Sequence, residues 1–376
     1  MRILVLVHEF PPVGGGGGHV AEDICRELSK RGHQINVLTS HITGLPHEED
    51  RDGFHIIRLR SLRDQPYRAS FLSMLVYVLT GLYAGLRLIR RWRPDIIHVH
   101  FAVPAGALAW ILSKLTRIPY MLTTHLGDIP GGVSEKTNEW FRFVFPLTPS
   151  IWKDASRVTA VSNYTRTLAK KHYPVDIDII YNGIDLALLS LGDLQVHTPP
   201  RIVFAGRFME QKNPLQVANV LAKLKNLEWE CVMLGDGPLL DSVKKIVAEH
   251  KMEKRFTFPG WVTPQEVLDW FEKSDILFLP SLSEGLPVVG VQALVKGLAV
   301  VASHVGGFVD LVEEGENGYL VSPRDEVSIM TALQSLLTDP EKLQRARHRS
   351  REIARRFNII SIVDAYEKKL RELVHL

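Results

Sequence analysis

Three loops in this 376-residue chain gather residue types suited to a phosphorylated ligand. In the first, Pro11-Pro12-Val13 runs into Gly14 through Gly18, bare backbone that can turn tightly and present amides beside the positive end of a following helix. Its glycines do not fit the dinucleotide fingerprint, and Ile35–Leu38 runs into Thr39-Ser40 with no ribose-binding acid, so a plain flexible loop stays open as a reading. The second loop, Gly206 to Pro214, sets Arg207 and Lys212 around a helix start. Two fixed cations there suit a diphosphate whose charge grows as a sugar bond breaks, although paired cations are also common on plain surfaces. The third, Ser281 to Leu294, places Glu284 on a loop and Gln292 on the helix that follows. One side chain can accept hydrogen bonds from hexose hydroxyls while the other reaches a ribose, and Gly285 lets main-chain amides approach.

Open parallel sheets bind ligands beyond the carboxyl ends of their strands, so these loops need strands in front of them. Short β-branched runs alternating with helical patterns supply them, which argues for βαβ units. In the first half the strands read Ile3–Val7, Ile35–Leu38, Ile56–Leu59, Ile96–His100, Tyr120–Thr123, Arg157–Val161 and Ile177–Tyr181. A helix carrying Val20, Ile24 and Leu28 on one face, closed at Gly32, joins the first two. Asp185 to Pro200 breaks the alternation and reads as a linker. A second series then runs Ile202–Ala205, Glu230–Leu234, Phe256–Phe258, Ile276–Leu279, Ala299–Ala302 and Tyr319–Val321. Its helix starts are marked by Asn213-Pro214, by the capping box Thr263-Pro264-Gln265-Glu266 and by Asp339-Pro340. The expected organisation is an α/β domain over 1–184, a linker over 185–200, a second α/β domain over 201–345 and a helical segment over 346–376 that crosses back onto the first.

Composition narrows the class. With 45% hydrophobic and 23% charged residues, the chain reads as soluble and globular rather than disordered. Cys25 and Cys231, far apart in apolar patterns, fit neither a disulfide framework nor a metal cluster, and a reducing cytoplasm suits them. The opening MRILVLVHEFPP reads as a first strand, not a signal peptide. Ala69 to Leu86 carries no charge and reaches the length of a membrane-span candidate. A span there would separate Ile3–Val7 from Ile96–His100, two strands needed in one sheet, so the expectation is a mostly buried helix or one lying on a membrane surface. Beside it, Arg51, Arg58, Arg60, Arg63, Arg68, Arg87, Arg90, Arg91 and Arg93 face only Asp52 and Asp64. This basic stretch either meets anionic lipid or an acidic acceptor, or simply solvates a helix face. Nucleic acid is disfavoured, because no aromatic-interleaved or helix-turn-helix pattern accompanies it.

Taken in order, the glycine loop, DIIHVHF (Asp95 to Phe101), TTHLGD (Thr123 to Asp128), AVSNYTR (Ala160 to Arg166), IIYNGID (Ile179 to Asp185), GRFMEQKNP, LGDGP (Leu234 to Pro238), FPGWV (Phe258 to Val262) and SEGLPVVGVQALVKG resemble the family-four retaining glycosyltransferases. The likeness spans nearly the whole chain. It implies the GT-B architecture, two Rossmann-like domains whose parallel sheets face each other across a cleft. It further implies transfer of a hexose from a uridine- or guanosine-diphosphate sugar to a glycan or lipid-linked acceptor, with retention of anomeric configuration. By that resemblance Gly14, Gly15 and Gly16 would face the donor phosphates and His125 the transferred hexose. Gly206 belongs to the loop on which Arg207 and Lys212 would bind the diphosphate. Glu284 would hold hexose hydroxyls, with the amides of Gly285, Leu286, Pro287 and Val288 beyond it, and the base would rest near Gly260, Trp261 and Val262. No cofactor or divalent ion is expected, since cationic side chains take that role.

Two departures stand out. Gln292 occupies the place of the family's second acidic residue, and an uncharged amide holds a ribose hydroxyl less firmly. Pro287 replaces the usual second glycine and removes an amide donor. They motivate an alternative, a sugar-nucleotide-binding protein with little transfer activity. A nicotinamide-dependent oxidoreductase is further off, for want of the ribose-binding acid. His98 and His100 on one strand read as satisfied strand-end histidines, one to each side of the sheet, rather than as a metal pair. Asp128 is either an acceptor contact or a turn residue. The chemistry as a whole suggests a cytoplasmic protein, peripheral on the inner face of a membrane if the basic stretch meets lipid.

Overall fold

In the computed structural model the described residues are 1–65, 69–132, 145–188 and 194–374. They form two compact units, Met1–Gly183 with Ile359–Leu376, and Ile184–Asn358. Residues 346–358, expected to begin the returning segment, therefore pack with the second unit. The return starts only at Ile359.

The first unit is built on strands β1 (Arg2–Leu6), β2 (Gln34–Ile42), β3 (Glu48–Arg51), β4 (Phe54–Arg63), β5 (Ile96–His100), β6 (Tyr120–Thr124), β7 (Arg157–Ala160) and β8 (Asp178–Ile179). Their order is β3-β4-β2-β1-β5-β6-β7-β8. All pairings are parallel except β3 with β4. Sequence patterning overlooks β3, because EEDR is four polar residues on a sheet edge, where charge is what keeps an edge from pairing further. Central strands are largely apolar because helices cover both faces, and all five residues of β5 are buried, His98 and His100 included. Helix α1 (Gly16–Lys30) buries Val20, Ile24 and Leu28 as its pattern requires, each contributing about 1.5–3 kcal/mol of transfer free energy.

Helix α2 (Phe71–Trp92) leans on β4 and on α3 (Ala107–Thr116). A Cβ at Gly81 would lie 2.5 Å from Leu108 Cδ2 and one at Gly85 2.8 Å from Leu112 Cδ1, so the two glycines are what let the helices approach. The helix is not mostly buried, as the sequence suggests it to be: only 28% of its apolar window is covered. It alone among the described helices is long and apolar enough to cross a membrane. A span would nevertheless part β1, before it, from β5, after it, and those strands pair in register from Ile3 with Ile96.

The arginine-rich stretch divides in two. Arg51 pairs with Glu22 at 2.7 Å, the buried Arg58 with Glu49 at 2.7 Å and the buried Arg63 with Glu9 at 3.3 Å. Arg60, Arg87, Arg90, Arg91 and Arg93 stay exposed. Arg68 lies outside the described residues.

Short helices α4 (Thr148–Lys153) and α5 (Asn163–Lys170) complete this part of the unit. The second unit carries β9 (Arg201–Ala205), β10 (Glu230–Leu234), β11 (Phe256–Gly260), β12 (Ile276–Leu279), β13 (Ala299–Ser303) and β14 (Gly318–Val321), all parallel, in the order β11-β10-β9-β12-β13-β14. Helices α6 (Pro214–Lys223), α7 (Leu240–Glu249), α8 (Pro264–Glu272), α9 (Val288–Val295), α10 (Glu326–Leu337) and α11 (Pro340–Ala354) connect or follow these strands. Thr263 and Glu266 form the reciprocal capping box, and Asp339 caps α11 through Lys342 N. Asn213 differs from expectation: it makes no side-chain cap and sits at φ +52°, a left-handed turn that asparagine tolerates. Helix α12 (Ile359–Val374) returns to the first unit, where Glu367 accepts from Arg31 at 2.8 Å and pairs with His33 at 3.0 Å. Burial alone would raise that carboxyl, but hydrogen bonds from Arg31, Arg371 and His33 outweigh it and hold it down at about 2.

Candidate donor-binding site

Each sheet has one point where consecutive connections leave in opposite directions, between β1 and β5 in the first unit and between β9 and β12 in the second. Ligands of open α/β sheets bind beyond the strand ends at such points. The chemistry-bearing loops follow these strands.

In the second unit the loop after β9 is fixed from below. Gly206 N donates to Leu234 O at 3.0 Å, Phe208 N to Asp236 O at 2.9 Å and Leu239 N to Phe208 O at 2.9 Å. That approach needs two residues without side chains: a Cβ at Gly235 would come within 2.1 Å of Gly206 O, and one at Gly237 within 2.7 Å of Phe208 O. Gly260, at the end of β11, accepts from Gly235 N at 2.8 Å, which brings Trp261, exposed, and Val262, half-buried, beside the same loop.

The loop after β12 is tied to the loop after β9. Leu282 N donates to Gln211 O at 2.8 Å and Gln211 Nε2 to Ser283 O at 3.0 Å. Lys212 Nζ donates to Glu284 Oε1 at 2.5 Å, the carboxylate only 6% exposed and the lysine 20%. A carboxylate so buried requires a charged partner, and the ammonium keeps two further donors for a ligand. Beneath Glu284 run Gly306 and Gly307, after β13. A Cβ on Gly306, at φ +60°, would stand 1.8 Å from Glu284 O, and one on Gly307 2.1 Å from Gly285 O.

Arg207 is half-buried on the Lys212 loop. Pro287, buried, is the N-cap of α9, and the carbonyl of that residue takes Gly290 N at 2.9 Å. Leu286 is buried, Gly285 and Val288 are half-buried, and Gln292 is half-buried one turn into α9. No acidic residue stands in the first turn of α9, where the amides of Val288 and Val289 are oriented for an anion. The structure thus gathers Gly206, Arg207, Lys212, Gly260, Trp261, Val262, Glu284 to Val288 and Gln292 at one end of one sheet.

In the first unit Gly15 is the N-cap of α1 with no side-chain cap, Gly16 is the first helical residue, and no acid occupies the first turn. Gly14 is held at φ +102° against Glu9. Gly17 carries a constraint the sequence does not reveal, since a Cβ there would lie 2.5 Å from Phe101 Cζ and 3.3 Å from His125 Nδ1. The glycine loop therefore packs directly on His125, which follows β6.

The His125 ring stacks on Phe101 with centroids 4.4 Å apart, and its Nε2 lies 3.5 Å from His100 Nδ1. Burial pushes His125 down to about 4, aided by His8 and opposed by Glu9. At neutral pH that leaves an uncharged imidazole, a group that can exchange a hydrogen bond with a hydroxyl.

His98 and His100 correct the expectation of one ring on each side of the sheet. Residues two apart on a strand share a face, and their ring centroids are 4.4 Å apart. Both are fully buried, and His98 Nε2 bonds Thr123 Oγ1 at 2.9 Å. Burial, with the neighbouring His125, lowers His98 to about 3. Asp128 ends the short turn Leu126–Asp128, and its side chain lies outside the described residues.

Sequence reasoning passes over Glu9, Gly306 and Gly307, and it names Gly17, Phe101, Gly235 and Gly237 only as members of their motifs, without the packing each provides. The four glycines of the second unit are legible in principle, since each stands in a loop directly after a strand. Phe101 closes the DIIHVHF run, but nothing in its type announces a backbone at φ +73°.

Comparison with known proteins gives a consistent picture. Residues 14–188 match the profile described as Glycosyltransferase Family 4, and residues 193–353 that described as Glycosyl transferases group 1. A glycogen synthase from Mycobacterium tuberculosis is 26% identical, covering 94% of this chain and 90% of its own length. Among solved structures, a sucrose-phosphate synthase from Thermosynechococcus elongatus superposes with a TM-score of 0.87 at 20% identity, covering 99% of both chains. The Anabaena protein HepE, solved in complex with UDP and glucose, superposes with a TM-score of 0.77 at 19% identity over 99% of this chain and 100% of its own.

Proposed function

This chain belongs to the group 1, family 4 glycosyltransferases of the GT-B fold, and from that premise we propose that it transfers a hexose from a nucleoside-diphosphate sugar with retention of anomeric configuration. The observation that carries the donor assignment is the Lys212–Glu284 pair, which joins the two loops at the point where strand connections diverge in the second unit. Lys212 and Arg207 bind the diphosphate and stabilise the charge that builds on it as the sugar bond breaks. Glu284 accepts from hexose hydroxyls, while the free amides at the start of α9 supply the donors that Pro287 does not. In the first unit the amides at the start of α1 suit an anionic group, and neutral His125 suits a sugar hydroxyl.

Cationic side chains fill the role a divalent ion would otherwise take, so the reaction is assigned no metal. Retention follows if the leaving phosphate oxygen takes the acceptor's proton as the acceptor oxygen bonds the anomeric carbon on the face from which the diphosphate departs. The acceptor is a glycan or a lipid-linked sugar. HepE binds UDP, which favours uridine over guanosine in the donor.

The test is a panel of uridine- and guanosine-diphosphate hexoses, read by thermal stabilisation, nucleotide release and the anomeric configuration of the product. A cognate donor at a hundredfold excess over its Kd stabilises the fold by about 2.7 kcal/mol. Release of nucleotide with a product of inverted configuration overturns retention. Binding without transfer or hydrolysis instead favours a sugar-nucleotide-binding protein, the reading that Pro287 and Gln292 suggest. Replacing Gln292→Glu is expected to tighten donor binding about fivefold, the difference between a charge-assisted and a neutral hydrogen bond to a ribose hydroxyl. Unchanged or weaker binding in an isothermal titration would remove Gln292 from the ribose contact.

A further inference from the structure

Five of the thirteen large apolar side chains exposed among the described residues lie on α2: Phe71, Leu72, Leu75, Leu79 and Tyr83, from 44 to 72% exposed. At helical spacing they make one stripe, and the exposed Arg87, Arg90 and Arg91 continue it toward the C-terminal end. The opposite face is committed to the fold, with Tyr77 donating to Leu38 O at 3.1 Å and Gly81 and Gly85 seated on α3. Helix α2 holds no acidic residue. Among the described residues no carboxylate lies within ion-pair reach of Arg87, Arg90, Arg91 or Arg93, whereas Arg51, Arg58 and Arg63 all have one. Leu62, at the end of β4, is 67% exposed, and Arg60, two positions earlier, lends its carbonyl to Thr80 Oγ1 of α2 at 3.0 Å.

We infer that this face docks on an anionic lipid bilayer, α2 lying in the interface plane with its apolar stripe among the acyl boundaries and its arginines on the headgroups. A long apolar stripe closed by unpaired cations, with no anion on the helix, complements a surface that is apolar inside and negative outside. A second copy of the chain would bring no carboxylate from α2 to meet those arginines, which argues against self-association through this face. The inference does not rest on the glycosyl-transfer reading, because none of the observations behind it involves a residue assigned to the donor.

Co-sedimentation with vesicles tests it. The expected result is binding to phosphatidylcholine vesicles containing phosphatidylglycerol, weak binding to phosphatidylcholine alone, and loss of binding as salt rises. The variant Arg87→Gln/Arg90→Gln/Arg91→Gln should bind on the order of 100-fold more weakly. Leu75→Gln/Leu79→Gln, changed only at exposed positions, should also bind more weakly at an unchanged melting temperature. Absence of binding to anionic vesicles at low salt, or binding that both variants retain, overturns the inference. So does a concentration-dependent dimer that Leu75→Gln/Leu79→Gln dissolves while vesicles leave the protein in solution.

Discussion

Lys212→Ala is expected to lower kcat/KM for sugar transfer by about 100- to 1,000-fold, and Arg207→Ala by a comparable factor. Removing one preorganised donor from a site where charge develops typically costs about 2.7–4 kcal/mol of transition-state stabilisation. Lys212 is well placed for that role, since its stem runs over Gly206, where a Cβ would stand 3.5 Å from Lys212 Cδ, and its ammonium is fixed by Glu284. The substitution also strands a carboxylate that is 6% exposed, so some stability should be lost with the turnover. Adding Glu284→Gln to Lys212→Ala removes the stranded charge and so isolates the stability effect, since Glu284 itself is assigned to the hexose. The double variant should recover melting temperature and stay inactive. Recovery of turnover together with stability would mean that Lys212 serves the fold and not the reaction.

The largest expected loss of stability is at Asp275, which no sequence pattern marks. It is wholly buried just before β12 and accepts from Arg201 N at 2.7 Å and His197 N at 3.2 Å while contacting the guanidinium of Arg347. Arg347, 3% exposed, also donates to Gly297 O and Gln195 O, each at 2.8 Å. Truncating one partner of such a pair leaves an uncompensated buried charge, so Asp275→Ala should reduce the unfolding free energy by about 3–5 kcal/mol in urea titration. The combined change Asp275→Leu/Arg347→Met should cost markedly less, because both charges leave together. A loss below about 1 kcal/mol for the single variant would show that the pair is not the clamp its geometry suggests. The effect should extend to the donor loop, since Asp275 fixes the start of the strand from which Glu284 is presented.

Much of this fold was legible because parallel strands covered on both faces must be largely apolar. Runs such as Ile96–His100, Glu230–Leu234 and Ile276–Leu279 match their observed bounds for that reason. What stayed hidden depends on neighbours distant in sequence. Strand β3 is polar because it is an edge, and Arg58 and Arg63 look like surface charge until Glu49 and Glu9 are brought to them. Helix α2 has the composition of a core helix, yet its exposed stripe becomes evident only once α3 and β4 have claimed the other face.

The donor loops were legible by type and order, since Arg207, Lys212 and Glu284 follow strands whose carboxyl ends had to face a ligand. Their mutual geometry was not. The hydrogen bond from Lys212 to Glu284 and the glycines beneath it depend on strand order, which places β9 beside β12 although 70 residues of chain lie between Ala205 and Ile276. In the first unit, the shared face of His98 and His100 follows from the two-residue period of a strand and was available in the sequence. The stacking of His125 on Phe101 beside Gly17 was not, because it joins loops after three different strands.

The most direct measurement is a crystal structure of the protein soaked with a uridine-diphosphate hexose. The expected result is a diphosphate within hydrogen-bonding distance of Lys212 Nζ and the Arg207 guanidinium, with hexose hydroxyls on the Glu284 carboxylate. Nucleotide bound elsewhere, with Lys212 and Glu284 still closed on each other at 2.5 Å, would contradict the assignment of these loops to the donor.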